Sequence, residues 1–195
     1  MSTVCVSDAD LVARARLGDS AAFGELVDRH RTAVYRATRA ALTSHADAED
    51  AAQEAFLVAY QRLASFRGDA SFKTWLLTIA WHQAINRRRT VNRWWRRIAD
   101  TEDLGAMDNA APTSPSPSPE QQAVDGELRR HVAREIRALA PKLRDALLLA
   151  QAGEYSYEEI GTMLGAPLGT IKWRVSEARR VVKQRLKERG YAYVG

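Results

Sequence analysis

A chain of 195 residues, 46% of them hydrophobic, is long enough for one ordinary domain or two small ones and too apolar to stay disordered. Its 29 Lys+Arg against 24 Asp+Glu leave a net charge of +5, which admits a polyanionic partner without requiring one. A single cysteine, Cys5, excludes an internal disulfide framework and any thiolate-rich metal cluster. No apolar run approaches the ~20 residues that cross a bilayer, and Met1–Asp10 lack a basic start and apolar core. A cytoplasmic protein with no membrane insertion of its own is expected.

Helical spacing begins near the start of the chain. Leu11, Ala15, Phe23, Leu26, Val27 and Val34 recur at intervals of three and four, which predicts an amphipathic helical hairpin. Its break is Leu17-Gly18-Asp19-Ser20, where Asp19 or Ser20 can cap the second helix. Ser44 followed by Asp47 resembles a capping box and opens a helix from about Ala46 to Leu63. Ala48, Ala52, Ala55, Phe56, Ala59 and Leu63 form its expected buried face. Gly68 marks a turn, and Ser71 can cap a helix predicted from Phe72 to about Arg89. No stretch shows a convincing run of alternating β-branched residues, so the chain reads as all-α.

Charge is segregated beyond this point. Arg87, Arg88, Arg89, Arg93, Arg96 and Arg97 form a run without an acid. From Asp100 to Glu127 the pattern reverses, with seven acids and no Lys or Arg. Four of the six prolines fall in Pro112–Pro119, alternating largely with serine. Such a tract removes amide donors and favours extended polyproline geometry. Residues 100–120 are therefore expected to be a flexible Pro/Ser/acid-rich linker between two small helical domains, residues 1–99 and 121–195.

The most specific local pattern lies in the second domain. Tyr157–Leu164 is a short amphipathic stretch opened by Ser156, broken by Gly165-Ala166-Pro167 and followed by Leu168-Gly169-Thr170-Ile171. A short helix, a tight turn and a second helix with a polar first turn make a helix-turn-helix. The second helix of such a unit enters the major groove with its N-terminal residues against base edges. Ile160, Leu164, Ile171 and Val175 supply the seam between the helices, which leaves Thr170, Lys172, Trp173, Arg174 and Glu177 to meet DNA. Arg and Lys bond guanine edges or phosphates, and Glu accepts from a cytosine amino group. Eight basic residues against four acids between Tyr155 and Arg189 put positive charge on the domain expected to touch phosphate.

The first domain carries two unlike surfaces. Asp47, Asp50 and Glu54 stand at i, i+3 and i+7 on one helical face, with Glu49 and Gln53 beside them. Such a row can dock a basic partner, coordinate a hard metal or stay solvated. No second ligand cluster exists to complete a metal site, and no nucleophile–base pair suggests an enzyme. From Phe66 to Arg89 aromatic and basic residues interleave, a mixture that suits unstacked bases or, for Phe72 and Trp75, a helical core.

Together these residues resemble a known family. Asp47–Phe56, Phe66-Arg67-Gly68, Phe72-Lys73-Thr74-Trp75-Leu76 and Ala80 are similar to region two of bacterial extracytoplasmic-function sigma factors. Tyr157-Glu158-Glu159-Ile160, Gly169-Thr170-Ile171-Lys172 and Ala178-Arg179-Arg180 are similar to their region four. The resemblance implies a promoter-specificity subunit of RNA polymerase, without cofactor, metal or catalytic residues. Asp47, Asp50, Gln53 and Glu54 would dock core polymerase at the β′ clamp helices, and the β subunit would be a further contact. The loop from Ser65 to Ser71 and the next helix would take the minus-ten element as single strand. The matching positions are Phe66, Arg67, Ile79, His82 and Asn86, with Arg87, Arg88 and Arg89 on the backbone. Gly169, Thr170, Lys172, Trp173, Arg174, Glu177 and Arg179 would read the minus-thirty-five element as duplex. His82 stands where the family commonly has Asn, and Trp173 where it has a small polar residue. An anti-sigma factor is the implied regulator. The other reading is a stand-alone helix-turn-helix regulator that binds duplex DNA without polymerase.

Overall fold

The computed structural model describes residues 6–99, 119–153 and 155–191, with the side chains of 92–99 and 119–126 left aside. Cys5, most of the acidic linker (100–118) and the end of the tail lie outside the described residues. Among those described there are eight α-helices, one 3-10 turn and no strand, as the periodicity predicts. They form two compact units, one built on the first four helices and one on most of the remainder.

Short polar side chains start the helices of the first unit by accepting otherwise orphaned N–H groups. Helix α1 spans Asp8–Arg16 behind a capping box of Ser7 and Asp10. Helix α2 spans Ser20–Ala41, and of the two predicted caps it is Asp19 that acts, accepting from the Ala22 N–H at 3.1 Å. Helix α3 runs His45–Arg62 behind Ser44, which accepts from the Asp47 N–H at 3.2 Å. A 3-10 turn over Leu63–Ser65 extends it. Helix α4 opens at Phe72, where Ser71 accepts from the Thr74 N–H at 3.1 Å, and continues to Ala99. It therefore runs ten residues past the expected end at Arg89. Nothing from Thr90 to Ala99 is Gly or Pro, and arginine is a good helix former, so charge alone does not end the helix.

Helices α2, α3 and α4 pack on one another, and α1 closes onto α2. The contact surface of α3 is almost wholly alanine: Ala48, Ala51, Ala52, Ala55 and Ala59 are buried, which lets neighbouring backbones approach closely. Phe56, expected on this face, is only half-buried. From α4 come Phe72, Leu76, Leu77, Ala80, Trp81 and Ala84, all essentially covered. One buried hydroxyl is fully used, as Thr38 donates toward the Tyr35 and Ala48 carbonyls at 2.9 and 2.8 Å.

The remaining helices are α5 (Pro119–Arg137), α6 (Pro141–Gln151), α7 (Tyr157–Leu164) and α8 (Leu168–Glu188). Ser156 and Glu159 form the capping box that opens α7, at 3.1 and 2.9 Å. On α8 the residues Ile171, Val175, Ala178, Val182 and Leu186 make one buried stripe that packs on α6 and α5. Glu135 of α5, only 3% exposed, lies 3.0 Å from Arg189 and 3.6 Å from Arg185. It ties α5 to the far end of α8.

Candidate polymerase and nucleic-acid interface

The acidic face of α3 is present, and part of it is already engaged. Asp50, Gln53 and Glu54 are exposed and Asp47 is half-buried. Arg87 of α4 reaches across: its Nε donates to Asp47 Oδ1 and its Nη2 to Asp50 Oδ2, each at 2.7 Å. The bond to Asp47 is the main cause holding the Arg87 guanidinium above its ordinary pKa. Arg87, expected on the DNA backbone, has its charged end turned to α3 in this structure. Leu57 continues the same stripe at i+3 from Glu54 and is 64% exposed. An apolar residue in register with the acids is the sequence signal that marks it.

The segment between α3 and α4 is held from beneath by an aromatic cluster. Phe66 is half-buried, with ring centroids 5.8 Å from Phe72 and 5.2 Å from Trp75. Phe72 and Trp75 are 5.8 Å apart, and His30 adds a ring 5.7 Å from Phe72. Phe72 thus belongs to the core, while Trp75 is half-buried. Arg67, Gly68 and Asp69 are exposed above this cluster.

On α4, His82, Asn86 and Arg89 are exposed at i, i+4 and i+7, so they share one outward face. Arg88 is half-buried. Ile79, expected at the minus-ten element, is 9% exposed and lies among the buried residues with Leu76 and Ala80. Of the expected minus-ten residues, Arg67, His82, Asn86 and Arg89 are exposed, Phe66, Arg87 and Arg88 are half-buried, and Ile79 is buried.

In the second unit the turn between α7 and α8 is tight. Gly165 takes φ +58°, a left-handed conformation that suits glycine. A Cβ on Gly161 would stand 2.8 Å from the Ala166 carbonyl oxygen. Ile160, Ile171 and Val175 of the predicted seam are fully buried, and Leu164 is half-buried. Away from the seam, Gly169, Lys172, Trp173 and Arg179 are exposed, and Thr170, Arg174 and Glu177 are half-buried. Trp173 is 61% exposed, an unusual position for so large an apolar ring unless a partner covers it. Arg180, one turn further on, bonds both oxygens of Glu177 at 2.8 Å. That pairing holds the Glu177 carboxyl below its ordinary range and places the Arg180 guanidinium beside it.

Two helical units, one exposing acids and an arginine-bearing helix and the other a helix-turn-helix, define a protein of transcription. Comparison with known proteins narrows this. The model of sigma-70 region 2 matches residues 26–96, and that of sigma-70 region 4 matches residues 129–181. The RNA polymerase sigma-H factor of Pseudomonas aeruginosa is 34% identical over 184 residues, covering 92% of this chain and 94% of the relative. The ECF RNA polymerase sigma-E factor of Escherichia coli is 34% identical over 187 residues, covering 93% and 95%. Among solved structures, CnrH in complex with the cytosolic domain of CnrY is 25% identical, with a TM-score of 0.61 and coverage of 93% and 97%. The sigma factor RpoE bound to the anti-sigma factor NepR from Bartonella quintana has the same fold at 24% identity, with a TM-score of 0.59 and coverage of 85% and 96%. The chain belongs to the extracytoplasmic-function sigma factors of the sigma-70 family and directs promoter-specific transcription. Sigma factors are not enzymes, and a match through both regions does not favour a stand-alone regulator.

Proposed function

We propose that the α3 face of Asp47, Asp50, Gln53 and Glu54 docks core RNA polymerase at the β′ clamp helices, while α4 and α8 address the promoter. In this reading residues 1–99 are the docking and minus-ten domain, 100–120 the linker and 121–195 the minus-thirty-five domain. The supporting observation is the separation of opposite charges onto different exposed faces. Carboxylates on α3 suit a basic protein surface and speed encounter with it. Cations on α4 and α8 suit phosphate.

At the minus-ten element, Arg67, His82, Asn86 and Arg89 take a melted strand above the Phe66 loop. Extruding a base costs about a few kcal/mol, and the captured base together with polymerase contacts offsets that cost. At the minus-thirty-five element, Lys172, Trp173, Arg174 and the Glu177–Arg180 pair meet the major groove, with Gly169, Thr170 and Arg179 against the flanking backbone. The chain acts by binding alone, in the cytoplasm. An anti-sigma factor regulates it by covering the docking faces, in keeping with the complexes of its structural relatives.

Run-off transcription with purified core polymerase on a promoter library tests the whole reading. Wild-type protein is expected to yield transcripts and to need core enzyme for strong promoter binding. Glu54→Lys is expected to weaken core binding about tenfold, equivalent to roughly 1.4 kcal/mol, with duplex binding by α8 unchanged. Absence of any transcript together with polymerase-independent duplex binding would overturn it.

A further inference from the structure

The end of a helix leaves carbonyl groups without intrahelical partners. At the end of α3 and its 3-10 turn, Arg16, the last residue of α1, adds side-chain donors. Its Nε donates to the Leu63 carbonyl at 3.1 Å, and its Nη2 donates to the Phe66 carbonyl. The same guanidinium lies 5.9 Å from the Phe66 ring centroid, within cation–π range. The Phe66 N–H closes the turn onto the Leu63 carbonyl at 3.2 Å, so the two oxygens that Arg16 bonds bracket one turn. One planar fork therefore fixes both ends of the turn from which the loop departs. At its other end the loop is fixed by the Ser71 cap of α4.

Arg16 is itself well placed for this. The turn after it is closed by the N–H groups of Leu17, Gly18 and Asp19 onto the carbonyls of Arg14 and Ala15. Asp19, the cap of α2, also accepts from Arg14 Nε and Nη2 at 3.0 and 2.7 Å. The α1–α2 corner is thereby stiffened, and Arg16 projects from a fixed base. Lysine at this position has no planar pair of donors and would not span the two carbonyls in one geometry.

We infer that Arg16 is a positioning residue for minus-ten capture. It sets the direction in which Phe66, Arg67 and Gly68 leave α3, and it does so through main-chain oxygens without touching DNA. The inference rests on the reading of this loop and of α4 as the minus-ten surface. Losing such a support displaces the loop without removing any contacting side chain.

The test uses the full-length chain carrying Arg16→Ala or Arg16→Lys, assembled with core polymerase. The template is a promoter that the wild-type holoenzyme selects from a randomised library, with 2-aminopurine at the minus-ten element. Core affinity, the rate of opening and the ratio of opening on the selected base over a substituted base are measured. Both variants are expected to keep core affinity, to open roughly tenfold more slowly, as misplacement rather than lost contact would cause, and to lose base discrimination. Unchanged opening and discrimination in Arg16→Ala would overturn the inference. So would a fall in core affinity matching the fall in opening with discrimination intact, which would make Arg16 a general scaffold residue. Arg67→Ala and Asn86→Ala are measured alongside. If they lose opening and discrimination while the Arg16 variants do not, the Arg16 inference fails and the minus-ten reading stands. If they too leave both unchanged, the minus-ten reading itself fails, and the Arg16 inference with it.

Discussion

Arg87 holds two of the acids that the docking face would offer to polymerase. Its bonds to Asp47 and Asp50 link α4 to α3, but all three side chains are partly exposed, so the pair of contacts is worth less than about 1 kcal/mol to folding. The effect on binding is larger than that on stability. Arg87→Ala leaves two uncompensated carboxylates on the proposed docking face, which raises attraction to a basic partner and is screened by salt. Binding of core polymerase is expected to tighten several-fold at low salt and to return toward wild type as salt rises. A titration of fluorescent protein with core enzyme at two salt concentrations measures this, and weaker binding at low salt would contradict it. Neither this pairing nor the Arg16 fork could be read from the sequence. Both join residues about forty or more positions apart, 40 for Arg87–Asp47 and 47 for Arg16–Leu63, and depend on how the helices cross. Ile79 was likewise not legible as a buried residue. It lies only three residues from exposed His82, yet its side faces the row of Leu76 and Ala80.

Among the helices, local chemistry was legible wherever it was local. Asp19, Ser44, Ser71 and Ser156 each accept from an N–H three residues ahead, a relation visible in a window of a few residues. The end of α4 was not legible, because a run of arginines resembles a boundary in charge while remaining sound helix. Gly161 is likewise invisible to propensity. Glycine inside α7 reads as a weak point worth about 1 kcal/mol against alanine, yet the close Ala166 carbonyl oxygen reverses that judgement. The obstacle is backbone, fixed in turn by the Ala166 N–H donating to the Gly161 carbonyl at 2.9 Å, so it cannot swing aside. Gly161→Ala is expected to destabilise the second unit by about 1–3 kcal/mol, as overpacking does. Affinity for minus-thirty-five duplex should fall while core binding through α3 is retained. Thermal unfolding and a gel-shift titration check both parts, and a gain in stability would show that the turn yields.

Across the whole molecule the modest net charge of +5 is a sum of unlike surfaces. The acids of α3 and the cations of α4 and α8 suit partners of opposite charge, so the distribution carries more information than the total. Residues 100–118 extend the same logic: Asp100, Glu102, Asp103 and Asp108 stand there without a single Lys or Arg. A chain of that composition is repelled by promoter DNA and attracted to the basic walls of a channel built for nucleic acid. If it occupies such a channel, it competes with the nascent transcript through charge rather than sequence. Replacing 100–118 by Gly/Ser of equal length, which spares α5 from Pro119 onward, should keep core binding and promoter opening. It should shift the ratio of abortive to full-length RNA, whereas a scrambled linker that keeps its four acids should behave as wild type. An unchanged ratio in the neutral linker would reduce the tract to a spacer, since its length would then do all that its charge was argued to do.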